Sequence, residues 1–123
     1  SNGSNAICLA LCAFDLNPGD EVIIPSYVCK NVEDAVKLSG CKPVYCDLDK
    51  NSWVIDAKSV KRVLTSKTKA IIVVHSLGVY SEINQILKLG LNVIEDSCQF
   101  FYPTKTTKKS KLITIYSFHA TKC

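Results

Sequence analysis

One apolar run, Ala70-Ile71-Ile72-Val73-Val74-His75, indicates the fold class of this 123-residue chain. Its apolar character is continuous and does not alternate with polar residues, which is typical of a strand in a parallel sheet covered on both faces. Similar short runs at 21–25, 43–47, 92–96 and 112–116 are also predicted to be strands.

Helical segments separate these strands. Helices are predicted at about 30–39, 57–64 and 82–89, with Gly40 ending the first and Asp56 capping the second. A further helix at 6–14 is hydrophobic on every side, so we expect it to be buried. Strands that alternate with helices imply a parallel α/β sheet with right-handed crossovers.

The composition excludes several classes of protein. Hydrophobic residues make up 47% of the chain and charged residues 21%, which indicates a globular domain. No apolar run has the length of a membrane span or the flanks of a signal peptide. The net charge of +4 includes a lysine cluster at 105–111, but aromatic residues do not interleave with it as in nucleic-acid platforms. We therefore expect neither a nucleic-acid nor a membrane partner.

The seven cysteines form no Cys-x-x-Cys pair and are odd in number. Most lie inside apolar runs, so they are predicted to be buried free thiols in a reducing cytoplasm, with neither a disulfide framework nor a metal site. They are Cys8, Cys12, Cys29, Cys41, Cys46, Cys98 and Cys123.

Four polar residues follow the last two strands. Asp96 and Gln99 follow the fourth strand, and Ser117 and Lys122 follow the fifth. Because adjacent parallel strands end at the same rim, and ligands of open α/β sheets bind there, we expect these groups to lie together. A lysine at such a rim can lose solvation and attack a carbonyl, although a lone lysine is usually a solvated surface charge.

The start of the chain adds a candidate anion site. Gly3 and Ser4 begin the first helix, where free N–H groups and a hydroxyl can hold a phosphate or form an ordinary cap. An acid, an amide, a hydroxyl and a lysine beside such a site suit pyridoxal 5'-phosphate (PLP). Lys122 would hold its aldehyde as an aldimine, and Asp96 would keep its ring nitrogen protonated.

The order of motifs resembles the DegT/DnrJ/StrS family of PLP-dependent sugar aminotransferases, of fold type I. The most specific motifs are Val93-Ile94-Glu95-Asp96 with Gln99, and Ser117-Phe118-His119-Ala120-Thr121-Lys122. Ser1-Asn2-Gly3-Ser4-Asn5-Ala6 and Pro18-Gly19-Asp20-Glu21-Val22-Ile23-Ile24-Pro25-Ser26 also match. The resemblance covers essentially the whole chain in register. Members with a histidine in place of the lysine are usually dehydratases. Because this chain retains Lys122, it resembles the aminotransferase branch of the family.

The resemblance implies a reaction and a set of site residues. Lys122 would be the catalytic base and Schiff-base lysine, moving a proton between an amino donor, glutamate or glutamine, and the cofactor. A keto group on a nucleotide-linked sugar would then be aminated. His119 is given only a supporting role. The implied cofactor-binding residues are Gly3, Ser4, Cys29, Asp96, Gln99, Ser117 and Lys122.

The chain also departs from the family pattern. Cys29 stands where many members place an aromatic residue that stacks on the PLP ring. The chain begins at the phosphate motif and stops one residue after Lys122, so residues 1–123 are expected to form only part of a PLP-binding large domain. By resemblance, that part is a three-layer sandwich whose five strands lie in the order 2-1-3-4-5. The full-length member would be a cytoplasmic homodimer.

Two other functions stay open from the sequence. The chain can be a catalytically inactive fragment with at most residual PLP binding. Catalytic geometry needs both the residues that contact the ligand and the residues that hold those in place. It can also be a flavodoxin-like binding module with a similar strand order. Pro25-Ser26 occupies the place of the acidic cluster that a signalling module of that type needs, which disfavours this last hypothesis.

Overall fold

The computed structural model describes residues 2–52, 54–74, 83–96 and 111–115. Within them lies one sheet of five parallel strands in the order β2-β1-β3-β4-β5, which confirms the predicted order. The strands are β1 Glu21–Pro25, β2 Lys42–Cys46, β3 Thr68–Val74, β4 Asn92–Asp96 and β5 Leu112–Ile115. The helices are α1 Asn2–Ala13, α2 Lys30–Leu38, α3 Ala57–Val63 and α4 Ile83–Leu87.

Helices cover both faces of the sheet, so the predicted three-layer sandwich is confirmed. On one face, Ile24, Ile72 and Ile94 pack with residues of α1 and α2. On the other face, Ile71 and Val93 pack with residues of α3 and α4. Successive residues of one strand thus enter different cores, because side chains of a strand alternate between its faces. Both faces are apolar, which explains the continuous apolar run in β3.

The strand boundaries agree closely with the sequence analysis. β1 and β4 have the predicted limits, whereas β3 begins two residues before the predicted Ala70 because Thr68 pairs with Glu21 of β1. The predicted helix ends are also found. Gly40 adopts a φ of +82°, which favours glycine, just after α2. Asp56 caps α3 by accepting a hydrogen bond of 2.8 Å from the Ser59 N–H.

The prediction that the first helix is buried all round was wrong. Helix α1 buries Ile7, Ala10 and Leu11, but Leu9 on its outer side is 70% exposed. The helix lies on the outside of the sheet, so only one of its sides meets the core. Apolar residues on every side of this helix therefore did not mean that every side is buried. The helix spans Asn2–Ala13, so Gly3 and Ser4 lie in its first turn.

The cysteines differ in burial more than the sequence indicated. The five in the described residues are free thiols, and Cys41 and Cys46 are buried as predicted. Cys12 and Cys29 are exposed, so their predicted burial was wrong. Both lie at helix ends, where an apolar sequence neighbourhood does not ensure cover. Cys98 and Cys123 lie outside the described residues.

The described part of the chain contains no cluster of three or more histidine, cysteine or acidic side chains that could hold a metal ion. Among the same residues, every helix is too short or too polar to span a bilayer.

Candidate functional site

Helix α1 directs its amino end towards the carboxyl edge of the sheet. Its last turn lies at the opposite edge, because Leu11 and Cys12 line a small cavity together with Cys41, which directly precedes β2. A helix of 12 residues is about 18 Å long. A strand of five residues spans about 17 Å, so the helix reaches from one edge of the sheet to the other.

The first turn of α1 contains both predicted phosphate-binding residues. Gly3 and Ser4 follow Asn2, the first helical residue, and the side chain of Ser4 is half-buried. The first N–H groups of a helix lack partners within it, and the helix dipole is positive there. This turn carries no acidic residue that would repel an anion. The described geometry therefore suits a phosphate group at this end of α1.

Asp96 lies at the same edge and on the same face of the sheet as α1. It is the last residue of β4 and is half-buried, with Val74 of β3 and Ile115 of β5 beside it. Ile94, two residues earlier, belongs to the core beneath α1 and α2. Strand alternation directs Asp96 to that side as well. The structure thus brings the predicted carboxylate to the edge towards which the start of α1 points.

Cys29 occupies a third position at this edge. It follows β1, directly precedes α2, and is exposed. Its side chain makes no capping hydrogen bond to the helix. Helices α1 and α2 contact each other on one face of the sheet, so Cys29 lies on the same side as Asp96. The sequence had predicted this residue beside the cofactor ring.

Three other predicted site residues lie outside the described residues. They are Gln99, Ser117 and Lys122, and His119 lies outside as well. Strand β5 spans Leu112–Ile115, and its last residue, Ile115, pairs with Asp96. The positions of these side chains stay predictions.

Sequence reasoning missed one buried acid beside the site. Glu95 precedes Asp96 and is fully buried, on the face that carries α3 and α4. A charged residue inside an apolar strand, as in Val93-Ile94-Glu95-Asp96, is the sequence signal that could have identified it, because buried carboxylates are rare. Glu95 and Asp96 therefore serve opposite faces of the same strand end.

Among the ionisable groups whose pKa values are altered, two lie near the end of β2. The pKa of Asp49 is lowered because its carboxylate accepts hydrogen bonds from the N–H and hydroxyl of Ser52 and from the Asn51 N–H. This aspartate thus holds the loop between β2 and α3. Burial raises the pKa of Cys46 to about 12, so that thiol stays protonated and unreactive. Both groups have a structural role.

A second cavity, of about 450 Å³, opens beside that loop. Its polar lining residues include Asp49, Asp56, Lys58 and Gln85. Asp56 is already engaged in capping α3, and Asp49 in closing the loop. The cavity lies on the side of the sheet that carries α3 and α4, away from α1, Asp96 and Cys29.

Comparison with known proteins gives the site its context. The model of the DegT/DnrJ/EryC1/StrS aminotransferase family matches residues 1–123. A 3-oxo-glucose-6-phosphate:glutamate aminotransferase of Bacillus subtilis strain 168 is 37% identical over 94% of this chain and 27% of its own length. A GDP-perosamine synthase of Escherichia coli O157:H7 is 35% identical over 99% of this chain and 35% of its own. The chain thus spans about a quarter to a third of these relatives.

A solved structure supports both the fold and the cofactor. NtdA from Bacillus subtilis with bound cofactor PMP superimposes with a TM-score of 0.75, at 36% identity, over 90% of this chain and 24% of its own. PLP is the cofactor of the family. The start of α1, Asp96 and Cys29 fit such a group, since they offer a helix start that suits an anion, a carboxylate and an exposed side chain on one side of one edge. The chain belongs to the DegT/DnrJ/EryC1/StrS aminotransferase family.

Proposed function

We propose that this chain carries the cofactor-binding part of a PLP-dependent aminotransferase that acts on a keto group of a nucleotide-linked sugar. The observation that carries the proposal is the convergence of the start of α1 and Asp96 on one face and one edge of the sheet. The family match over all 123 residues supports it. GDP-perosamine synthase among the relatives supports the nucleotide-linked class, and the glutamate in the other relative's name supports that donor.

Four groups of the chain would bind the two ends of the cofactor. The Gly3 N–H and the Ser4 hydroxyl would donate hydrogen bonds to its phosphate, and Ser117 would add a further hydroxyl. Asp96 would accept a hydrogen bond from the protonated ring nitrogen and so keep the proton on that nitrogen, since an adjacent carboxylate favours the protonated base. Cys29 and Gln99 would border the ring.

Lys122 would perform the proton transfers. When bound, PLP supplies an aldehyde that a lysine can hold and a ring that withdraws electrons from the α-carbon of the amino donor. The Lys122 amine would move a proton between the α-carbon of the amino donor and the cofactor. His119 would lie near the lysine. In the full-length protein, we propose that a second domain and a partner subunit complete the sugar site.

Borohydride trapping tests the proposal directly. The purified chain is incubated with PLP and reduced, and the modified lysine is mapped by mass spectrometry. Labelling is expected mainly at Lys122, lost in Lys122→Ala and decreased by inorganic phosphate that competes for the start of α1. Lys111→Ala is the matched control, because Lys111 is an exposed lysine just before β5 that donates to the Gly90 carbonyl; its loss should leave the labelling unchanged.

The opposite result identifies the alternative function. Labelling that spreads over many lysines and does not change in Lys122→Ala would mean that the chain has the family sequence without a formed site. It would then be the inactive fragment with residual PLP binding. Selective labelling that inorganic phosphate does not decrease would instead contradict the role of Gly3 and Ser4.

A further inference from the structure

A small cavity lies at the edge of the sheet opposite the candidate cofactor site. Its volume is about 190 Å³, and it separates the last turn of α1 from the end of α2 and the start of β2. Two of its six lining residues carry thiols. The lining consists of Leu11, Cys12, Asp15, Leu16, Ser39 and Cys41.

The two thiols differ in access to solvent. Cys12, in the last turn of α1, is exposed, whereas Cys41 is only 6% exposed. Both are free cysteines. Elsewhere in the described residues, the thiols of Cys8 and Cys46 donate to backbone carbonyls, each at 3.6 Å. The Cys41 thiol makes no such bond within the described part of the chain.

The surroundings give each thiol a separate role. Burial raises the pKa of the Cys41 thiol, and the negative charge of nearby Asp20 raises it further. Cys41 is therefore mostly protonated and shielded from solutes, so it does not start the exchange. Cys12 faces solvent and can react first. The backbone positions of both residues are fixed by turns, since Cys41 N–H donates to the Val36 carbonyl and Asp15 N–H to the Cys12 carbonyl.

We propose that Cys12 and Cys41 form a reversible disulfide by exchange with an oxidised low-molecular-weight thiol such as glutathione disulfide. Both side chains line this one cavity, which leaves space towards which they can turn. Cys12 lies one residue before the end of α1, and Cys41 lies between a turn and the start of β2. A disulfide joins Cα atoms that lie within about 7 Å of each other, so the bond forms when the end of α1 and the start of β2 approach to that distance.

The exchange proceeds in two balanced steps. The Cys12 thiolate attacks one sulfur of glutathione disulfide, whose S–S bond breaks, and the released glutathione takes up the proton that Cys12 lost. Cys41 then loses its proton and attacks the Cys12 sulfur. The bond to glutathione breaks, and the second glutathione leaves with the proton of Cys41. The two cysteines are oxidised, and one glutathione disulfide is reduced to two glutathione molecules.

Peptide mapping tests the proposal. The full 123-residue chain is incubated with glutathione disulfide, its remaining thiols are alkylated, and the digest is compared before and after reduction with dithiothreitol. We expect a reducible peptide pair that joins Cys12 to Cys41, and a higher Tm of the oxidised chain, because a cross-link restricts the unfolded state. Cys12→Ser should abolish both. Cys29→Ser, which removes another exposed thiol, should change neither.

A second variant tests the assigned order of attack. Cys41→Ser should stop the reaction with glutathione attached to Cys12, while Cys12→Ser should leave Cys41 unmodified. The proposal is overturned if the unaltered chain retains glutathione on Cys12 with Cys41 free to be alkylated. It is also overturned if Cys12 pairs with another cysteine as readily as with Cys41. The result does not depend on PLP binding.

Discussion

The described residues place different groups at the two edges of this sheet. At the amino edge, neighbouring turns bind each other: Gly19 N–H donates to the Gly40 carbonyl, and Glu21 N–H to the Lys67 carbonyl, both at 2.9 Å. The Thr65 hydroxyl adds a side-chain bond to the Glu21 carboxylate. At the carboxyl edge, the Ser26 N–H also donates to the Cys46 carbonyl, but this edge in addition holds the start of α1, Cys29 and Asp96, for which we propose the cofactor site.

This difference indicates that the amino edge maintains the fold and that the carboxyl edge is available for binding. In parallel α/β sheets, the loops after the strands carry the ligand, and the loops before them serve stability. A substitution at the amino edge should therefore lower stability without a specific effect on the cofactor. A substitution at a site residue of the carboxyl edge should instead weaken cofactor binding with little change in stability.

The largest expected loss of stability comes from a substitution in the core, which supports both edges of the sheet. Ile72 lies fully buried in the middle of β3, so Ile72→Ala should lower the free energy of unfolding by about 3 to 4 kcal/mol through lost burial and a cavity. Ile72→Val should lower it by about 1 kcal/mol. Urea denaturation measures both. The exposed Leu9→Ala is the control, expected within about 0.5 kcal/mol of the original chain. An equal loss for Leu9→Ala would contradict the described packing of α1.

The next effect tests the amino edge alone. Thr65→Val keeps the side-chain shape but removes the hydroxyl that donates to Glu21 Oε1 at 2.6 Å. Glu21 is 9% exposed, and loss of a partner for a buried carboxylate should cost about 1 to 3 kcal/mol. Thr65→Ser, which restores the hydroxyl, should recover most of the loss in urea denaturation. Selective PLP capture by the folded fraction should be unchanged; a selective loss of capture would mean that the two edges are not independent.

Much of this fold was predictable, because its signals are local. The strand limits follow from apolar runs bounded by turns, and the ends of α2 and α3 follow from Gly40 and Asp56. The burial of α1 was not predictable in the same way. Its composition is apolar on all sides, but which side meets the sheet depends on tertiary packing, and Leu9 lies on the outer one.

The candidate site was predictable only as a set of residue types at strand and helix ends. That Asp96 lies on the face of α1 follows from the alternation of β4, but the sequence alone did not say which face α1 covers. The resemblance to the family supplied the roles, and the parallel sheet order supplied the shared edge. Glu95 was missed because the apolar residues around it predict a strand but do not show that its carboxylate is buried.

A smaller loss of stability is expected at Asp56, which we compare with Asp96 at the same carboxyl edge. Asp56 caps α3, so Asp56→Ala should lower the free energy of unfolding by about 1 kcal/mol, and Asp56→Asn by less because asparagine also caps. Urea denaturation gives the values. PLP capture at Lys122 should not change in either variant. If capture were lost although the protein stayed folded, the α3 side of the sheet would contribute to the cofactor site, and the assignment to the α1 side would be wrong.

The smallest expected change in stability belongs to Asp96. Asp96→Asn keeps the shape of a half-buried side chain at the end of β4, so the free energy of unfolding should change by no more than about 0.5 kcal/mol. The same variant removes the charge that would hold the proton on the cofactor ring nitrogen, so PLP capture should weaken and the absorbance of the bound cofactor should change. Asp96→Glu, which retains the charge, should recover part of the capture. A large loss of stability in Asp96→Asn with unaltered capture would make Asp96 a structural residue like Asp56, and the difference between the two edges would then not separate folding from binding.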